Sequence, residues 1–184
     1  MLYEKTVTLK TGESCLIRSC ASADAEAVLK EFLLVHGETE NLLTYPEETS
    51  FTVEGEADFL QKRLEAENAV LLGAFIDGVL VGTAGIEPVG GVLKLRHRAE
   101  FGVSIEKAFW GRGIGAALTE AAIDCAEKAG YDQLELEVIG TNASAVALYE
   151  KCGFAEYGRN PLGFLTKSGS YQPLVLMRRE LLLK

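Results

Sequence analysis

The chain is poor in the residues that build metal centres and covalent frameworks. It carries four cysteines and two histidines in 184 residues. Cys15, Cys20, Cys125 and Cys152 are scattered, no C-x-x-C occurs, and His36 and His97 are remote from any cysteine pair. That spacing argues against a zinc site, and no metal is expected. Cys125 and Cys152 fall at apolar-phase positions of predicted helices and read as small buried hydrophobes. Long apolar runs are also missing: none approaches the roughly 18 residues of a membrane span, and Met1-Leu2-Tyr3-Glu4-Lys5 opens no apolar signal segment. The expectation is a soluble, cytoplasmic protein with no membrane partner. Positive charge is scarce. Eighteen Lys and Arg stand against 27 Asp and Glu, a net charge of -9, whereas a nucleic-acid binder would show a basic face. An acidic surface can draw cationic substrates such as amines, or simply keep a protein in solution. Repeats, low-complexity tracts and linkers are absent, so residues 1–184 read as one domain with a proper core.

What is present is a clear succession of elements. Thr11-Gly12 turns between two short extended runs, the second being Ser14 to Arg18. Ser22 is placed to cap a helix through about His36, with Ala25, Val28, Leu29, Phe32 and Leu33 on one face. Residues Gly37 to Thr52 are polar, contain Pro46, and read as a loop. A helix is expected from about Glu56 to Asn68. The pattern then turns extended. Ala69 to Ile76 and Val79 to Ile86 flank Asp77-Gly78, a favoured hairpin turn. After a turn at Pro88 to Gly91, Lys94 to Ile105 alternates, with Leu95, Ala99, Phe101, Val103 and Ile105 on one face and Lys94, Arg96, Arg98, Glu100 and Ser104 on the other. Ile114 to Lys128 is a helix ended by Gly130. Gln133 to Ile139 is a strand, Asn142 caps a helix from Ala143 to Cys152, and two extended segments close the chain around Ser168-Gly169-Ser170, the last near Pro173 to Arg179.

Between the alternating strand and the third helix lies Trp110-Gly111-Arg112-Gly113-Ile114-Gly115. Glycine backbone can approach a ligand closely, and a helix start offers free N–H groups with partial positive charge. Together they describe a pyrophosphate cradle. Gly111-x-Gly113-x-x-Ala116 also fits a dinucleotide fingerprint. That fingerprint needs a parallel strand–helix–strand unit, and here the preceding strand closes an antiparallel meander. A P-loop is excluded because no Gly-Lys-Ser/Thr follows.

Two segments carry a family resemblance. Gly111-Arg112-Gly113-Ile114-Gly115-Ala116 followed by Leu118 resembles the acetyl-CoA loop of the GNAT superfamily of N-acyltransferases. Asn142-Ala143-Ser144-Ala145-Val146-Ala147-Leu148-Tyr149-Glu150-Lys151-Cys152-Gly153-Phe154 is similar to that family's N-x-x-A-x-x-L-Y-x-x-x-G-F segment. The resemblance, with the order of elements, covers most of the chain. It implies an α/β GNAT fold: a mixed, mostly antiparallel central sheet flanked by helices on both faces. It also implies acetyl-CoA as acyl-donor cosubstrate, entering where the strand ending at Ile105 splays from the strand ending at Ile139. One departure is visible: Trp110 stands where relatives carry Gln or Arg, so recognition should lean on backbone amides.

By that resemblance, Val103, Ser104 and Ile105 pair with the pantetheine arm through their backbone, and the Val103 amide polarises the acyl carbonyl. The amides of Gly111, Arg112, Gly113, Ile114, Gly115 and Ala116, with the Arg112 side chain, hold the pyrophosphate. Asn142 contacts the coenzyme arm while capping its helix. Tyr149 is the candidate general acid, because a phenol with a pKa near 10 is protonated at neutral pH. Two carboxylates compete for general base, Glu137 and Glu100. Glu135, in phase with Glu137, reads as surface. The activity implied is acetyl transfer to a primary amine by direct attack in a ternary complex. The acceptor stays open between a small-molecule amine and a peptide N-terminus or lysine. A homodimer and a non-catalytic acyl-CoA-binding module on the same fold stay open too.

Overall fold

The computed structural model describes residues 1–181. One eight-stranded sheet forms its centre. The strands are β1 (Glu4–Thr8), β2 (Ser14–Ser19), β3 (Val70–Ile76), β4 (Val79–Pro88), β5 (Arg98–Ile105), β6 (Gln133–Ile139), β7 (Ala155–Leu165) and β8 (Tyr171–Glu180). Their spatial order is β1-β2-β3-β4-β5-β6-β8-β7. Every neighbouring pair is antiparallel except β5 and β6. The expected mixed, mostly antiparallel sheet is therefore present. A parallel pair needs a crossover, and the helix α3 (Ile114–Lys128) supplies it.

Local chemistry explains the turns. Asp77 and Gly78 both have positive φ, 50° and 81°, as the tight turn between β3 and β4 requires. Gly130, at φ 78°, closes α3, and the Asn142 side chain accepts from the Ala145 amide to open α4 (Ala143–Lys151). The α3 stripe of Ile114, Leu118, Ala121, Ala122 and Cys125 is buried against Leu72, Ala84, Phe101 and Leu134 on one face of the sheet. On the other face, α1 (Ala25–Glu38) and α2 (Val53–Glu65) cover a smaller core of Cys20, Ala25, Val28, Leu60, Phe75 and Leu80. No helix among the described residues is long and apolar enough to cross a membrane.

Several boundaries differ from the sequence reading. Ser22 begins a 3-10 turn (Ser22–Asp24) rather than α1. Its hydroxyl reaches across to the Ala57 carbonyl, and the Asp24 carboxylate accepts from the Ala21 amide. The second helix starts three residues earlier than expected because Thr52 is its cap, accepting from the Gly55 amide. The loop after α1 contains a 3-10 turn at Pro46–Glu48. The strand expected from Lys94 begins only at Arg98; Leu93–Leu95 form another 3-10 turn, which removes Lys94 and Arg96 from the strand face. Cys152 lies just past α4 and is half-buried, whereas Cys125 is fully buried.

Close approach of β4 to β5 depends on Gly82. A Cβ there would stand 2.7 Å from the Ser104 carbonyl oxygen. Gly82→Ala is therefore expected to cost about 1–3 kcal/mol, read as a lower urea midpoint. An unchanged midpoint would show that the two strands can separate freely at this point.

Candidate active site

The site grows from a fork in the sheet. β5 and β6 pair only at Arg98–Gln133, Ala99–Leu134 and Glu100–Glu135. Beyond that point each runs on, β5 to Ile105 and β6 to Ile139, while β6 continues to pair with β8 on its other edge. Antiparallel partners alternate between exchanging hydrogen bonds and turning them away. The Glu106 amide donates to the Val81 carbonyl and the Val89 amide to the Arg98 carbonyl. With the uninterrupted β4–β5 register, this parity gives the even-numbered residues of β5 to β4. The amides and carbonyls of Val103 and Ile105 consequently point into the fork.

The closed end of the fork is pinned by charge. Arg98 grips Glu135 through two nitrogens, one at 2.7 Å, and Gln133 and Tyr157 also donate to that carboxylate. Glu135 is 7% exposed, not the surface residue expected. Arg98 holds its carboxyl below the usual carboxylate range despite burial. Sequence phase placed Glu135 on the correct face but could not reveal the partner that permits its burial.

Above the fork, the glycine loop opens α3. Gly111 and Gly113 take φ of 77° and 100°, values that disfavour any residue with a Cβ. The first helical bond runs from the Ala117 amide to the Gly113 carbonyl. Among the described residues, no bond is made by the amides of Gly111, Arg112, Gly113, Ile114, Gly115 or Ala116. This is a row of donors with no other use, and it fits a phosphate-bearing ligand. Gly115 serves packing: a Cβ would stand 3.0 Å from Leu148 and 3.2 Å from Ile105. Trp110 is not a core aromatic but borders the cavity. It is 48% exposed, and its indole N–H donates to the Ile105 carbonyl at 2.8 Å. The amide and carbonyl of Val103 stay open in the fork. Arg112 is engaged elsewhere, with Glu13 (3.3 Å), the Ala108 carbonyl (3.1 Å) and the Phe109 ring.

A cavity of about 1240 Å³ fills the fork. The structure brings Glu100, Val103, Ser104, Ile105, Gly111, Gly113, Ile114, Gly115, Ala116, Glu137, Asn142 and Tyr149 to its wall, but not Arg112. Its two sides differ. Tyr149 is on the α3 side, packed edge-on to Phe101 (6.1 Å) and Phe154 (6.0 Å). Burial is the main cause that raises the Tyr149 phenol to about 12, so it holds its proton at neutral pH. Glu100, Glu135 and Glu137 face the α1 side, and burial and neighbouring carboxylates push the Glu100 carboxyl up. Thr39, Asn41, Leu42 and Leu43 extend the wall from the loop after α1. That loop is tied to the β7–β8 hairpin: Tyr45 Oη accepts from the Lys167 amide at 3.0 Å, and Lys167 pairs with Glu47. The segment expected as a polar loop from Gly37 to Thr52 thus borders the cavity, and its ties to Lys167 are to a residue more than a hundred positions away.

Beneath the α1 side lies Glu31, 2% exposed. Ser104 Oγ donates to it at 2.9 Å, and no cation pairs with it among the described residues. Burial, with Glu106 and Glu38 adding to it, raises its carboxyl from near 4.5 to about 7. The folded state thus prefers the protonated form. Stability from this group is full below pH 4.5, falls as pH rises, and levels off above about 7. Glu31→Gln should stabilise the protein at pH 8 by roughly 3 kcal/mol, with little gain at pH 4.5. Thermal unfolding at both pH values checks this, and an equal shift at the two would contradict it.

Comparison with known proteins bears on the family and the fold. The sequence model of the acetyltransferase (GNAT) family matches residues 37–154. The chain is similar to the [ribosomal protein bS18]-alanine N-acetyltransferase of Escherichia coli, at 45% identity over 56 residues, covering 30% of this chain and 38% of that one. Curated relatives are matched over only 21% to 50% of their own length. The crystal structure of an acetyltransferase of the GNAT family from Streptococcus pneumoniae superposes with a TM-score of 0.86 at 29% identity, covering 90% of this chain and 99% of that one. The fold is shared with yncA from Salmonella typhimurium, solved with its cofactor acetyl-CoA, at a TM-score of 0.82 and 20% identity, covering 92% and 95%.

Proposed function

The chain belongs to the acetyltransferase (GNAT) family, and on that footing we propose that it transfers an acetyl group from acetyl-CoA to a primary amine by direct attack in a ternary complex. The observation that carries this reading is the fork: backbone donors and acceptors of β5 turned into a cavity that has the free-amide loop at its mouth. Acetyl-CoA supplies the activated thioester acyl group and a thiolate leaving group. The loop amides at 111–116 bind its phosphates. The Val103 backbone pairs with the arm, and its N–H donates to the acyl oxygen as negative charge grows there. Asn142, whose side chain caps α4, borders the arm.

Proton traffic follows from the two-sided wall. The acceptor approaches from the α1 side, where an ammonium group meets carboxylates. Glu137 stands past the last β5–β6 pair, level with the opened backbone, and takes the proton that the ammonium sheds. Glu100, at the fork itself, is the second carboxylate there. On the opposite side Tyr149 Oη gives its proton to the departing sulfur. Its raised pKa keeps that proton available across the neutral range. The acceptor class is a small-molecule amine or a peptide N-terminus or lysine.

A panel of small amines, amino acids and peptides, with thiol release as readout, tests the reading. At least one acceptor should give saturable release above hydrolysis. Binding of acetyl-CoA with no such release would leave a non-catalytic acyl-CoA-binding module. Tyr149→Phe should lower kcat about 100-fold while sparing acetyl-CoA affinity; unchanged turnover would remove Tyr149 from the chemistry.

A further inference from the structure

The cavity wall is short of positive charge. Its anions are Glu100, Glu120, Glu135 and Glu137, and its cations are Lys10 and Lys151. Coenzyme A is a polyanion, and the chain as a whole carries a net charge of -9. Backbone amides can cradle a phosphate, but they do not neutralise it. A side-chain cation at the loop is therefore called for, and Arg112 does not reach the wall.

Lys10 does. It belongs to the turn between β1 and β2, far from the loop in sequence. The Lys10 amide donates to the Arg112 carbonyl at 3.1 Å, which fastens the turn to the loop. The Glu13–Arg112 pair fastens it a second time. The Lys10 side chain then lies across the start of α3. Its Cγ is 3.4 Å, and its Cδ and Cε 3.8 Å, from where a Cβ on Gly113 would stand. Among the described residues, Lys10 makes no ion pair. A lysine free of carboxylates, laid over the free amides of a helix start, is in place to meet an anion.

We propose that Lys10 supplies the cation that holds a phosphate of the coenzyme, and that Arg112 acts as the clasp that carries the β1–β2 turn, and Lys10 with it, to the loop. The inference rests on the acyl-CoA reading above. It assigns a ligand contact to the first hairpin of the chain, outside the loop-helix segment that the amides define. The phosphate is either the pyrophosphate or the 3'-phosphate, and the choice of ligand separates the two.

Isothermal titration of the full chain with coenzyme A and with 3'-dephospho-coenzyme A tests it, in the wild type, Lys10→Gln and Lys10→Arg. Lys10→Gln should weaken coenzyme A binding about tenfold, and Lys10→Arg should restore most of that. An equal loss with the dephospho form places Lys10 on the pyrophosphate. A loss confined to coenzyme A places it on the 3'-phosphate. If the wild type binds and Lys10→Gln stays within twofold of it for both ligands, or if Lys10→Arg fails to rescue, the assignment is overturned alone. If the wild type binds neither ligand, the acyl-CoA reading falls and the assignment with it.

Discussion

Three backbone pairs between β5 and β6 hold the centre of the sheet together, and the site exists because a fourth does not form. Unpaired backbone groups inside a sheet are costly, so a fork of this kind persists only where its two ends are fixed. At the closed end, Arg98 and Glu135 lock the strands side by side. At the open end, the Trp110 indole donates to the Ile105 carbonyl and the Glu106 amide to the Val81 carbonyl of β4. The Val103 amide and carbonyl between them are left for a ligand with complementary groups, which a pantetheine arm would bring.

The same fork separates two chemistries. The α3 side is aromatic, with Tyr149 packed edge-on to Phe101 and Phe154, and burial keeps the phenol protonated. The α1 side is acidic. Glu31 shows that this side carries an electrostatic cost as well: a carboxyl with no ion pair among the described residues, near Glu38 and Glu106, sits under the cavity-lining Ser104. A strand alternates its side chains between faces, so β5 turns Phe101 and Val103 to the α3 side and Glu100 and Ser104 to the α1 side.

Much of this was legible in the sequence, for identifiable reasons. Alternation along Ala99 to Ile105 gave the faces of β5, the glycines gave the loop, and Asn142 gave the start of α4. These are local signals with local causes. What escaped depended on distant partners. Glu135 reads as surface until Arg98 is placed beside it, and the Arg112 contact with Glu13 joins residues 99 positions apart. Lys10 carries no motif at all; only folding brings the β1–β2 turn onto Gly113. The 3-10 turn at Leu93–Leu95 hid behind an apolar–polar alternation that continued past the strand's real start at Arg98.

The central claim is that the open edge of β5 and the loop amides receive acyl-CoA. Residue-resolved amide exchange, measured by NMR with and without acetyl-CoA, tests it most directly. The account predicts slower exchange at Val103 and at residues 111–116 when ligand is added. Gly102 and Ser104, already bonded to β4 by the strand parity, should change little. Saturating acetyl-CoA that leaves Val103 and the loop amides unprotected would contradict it.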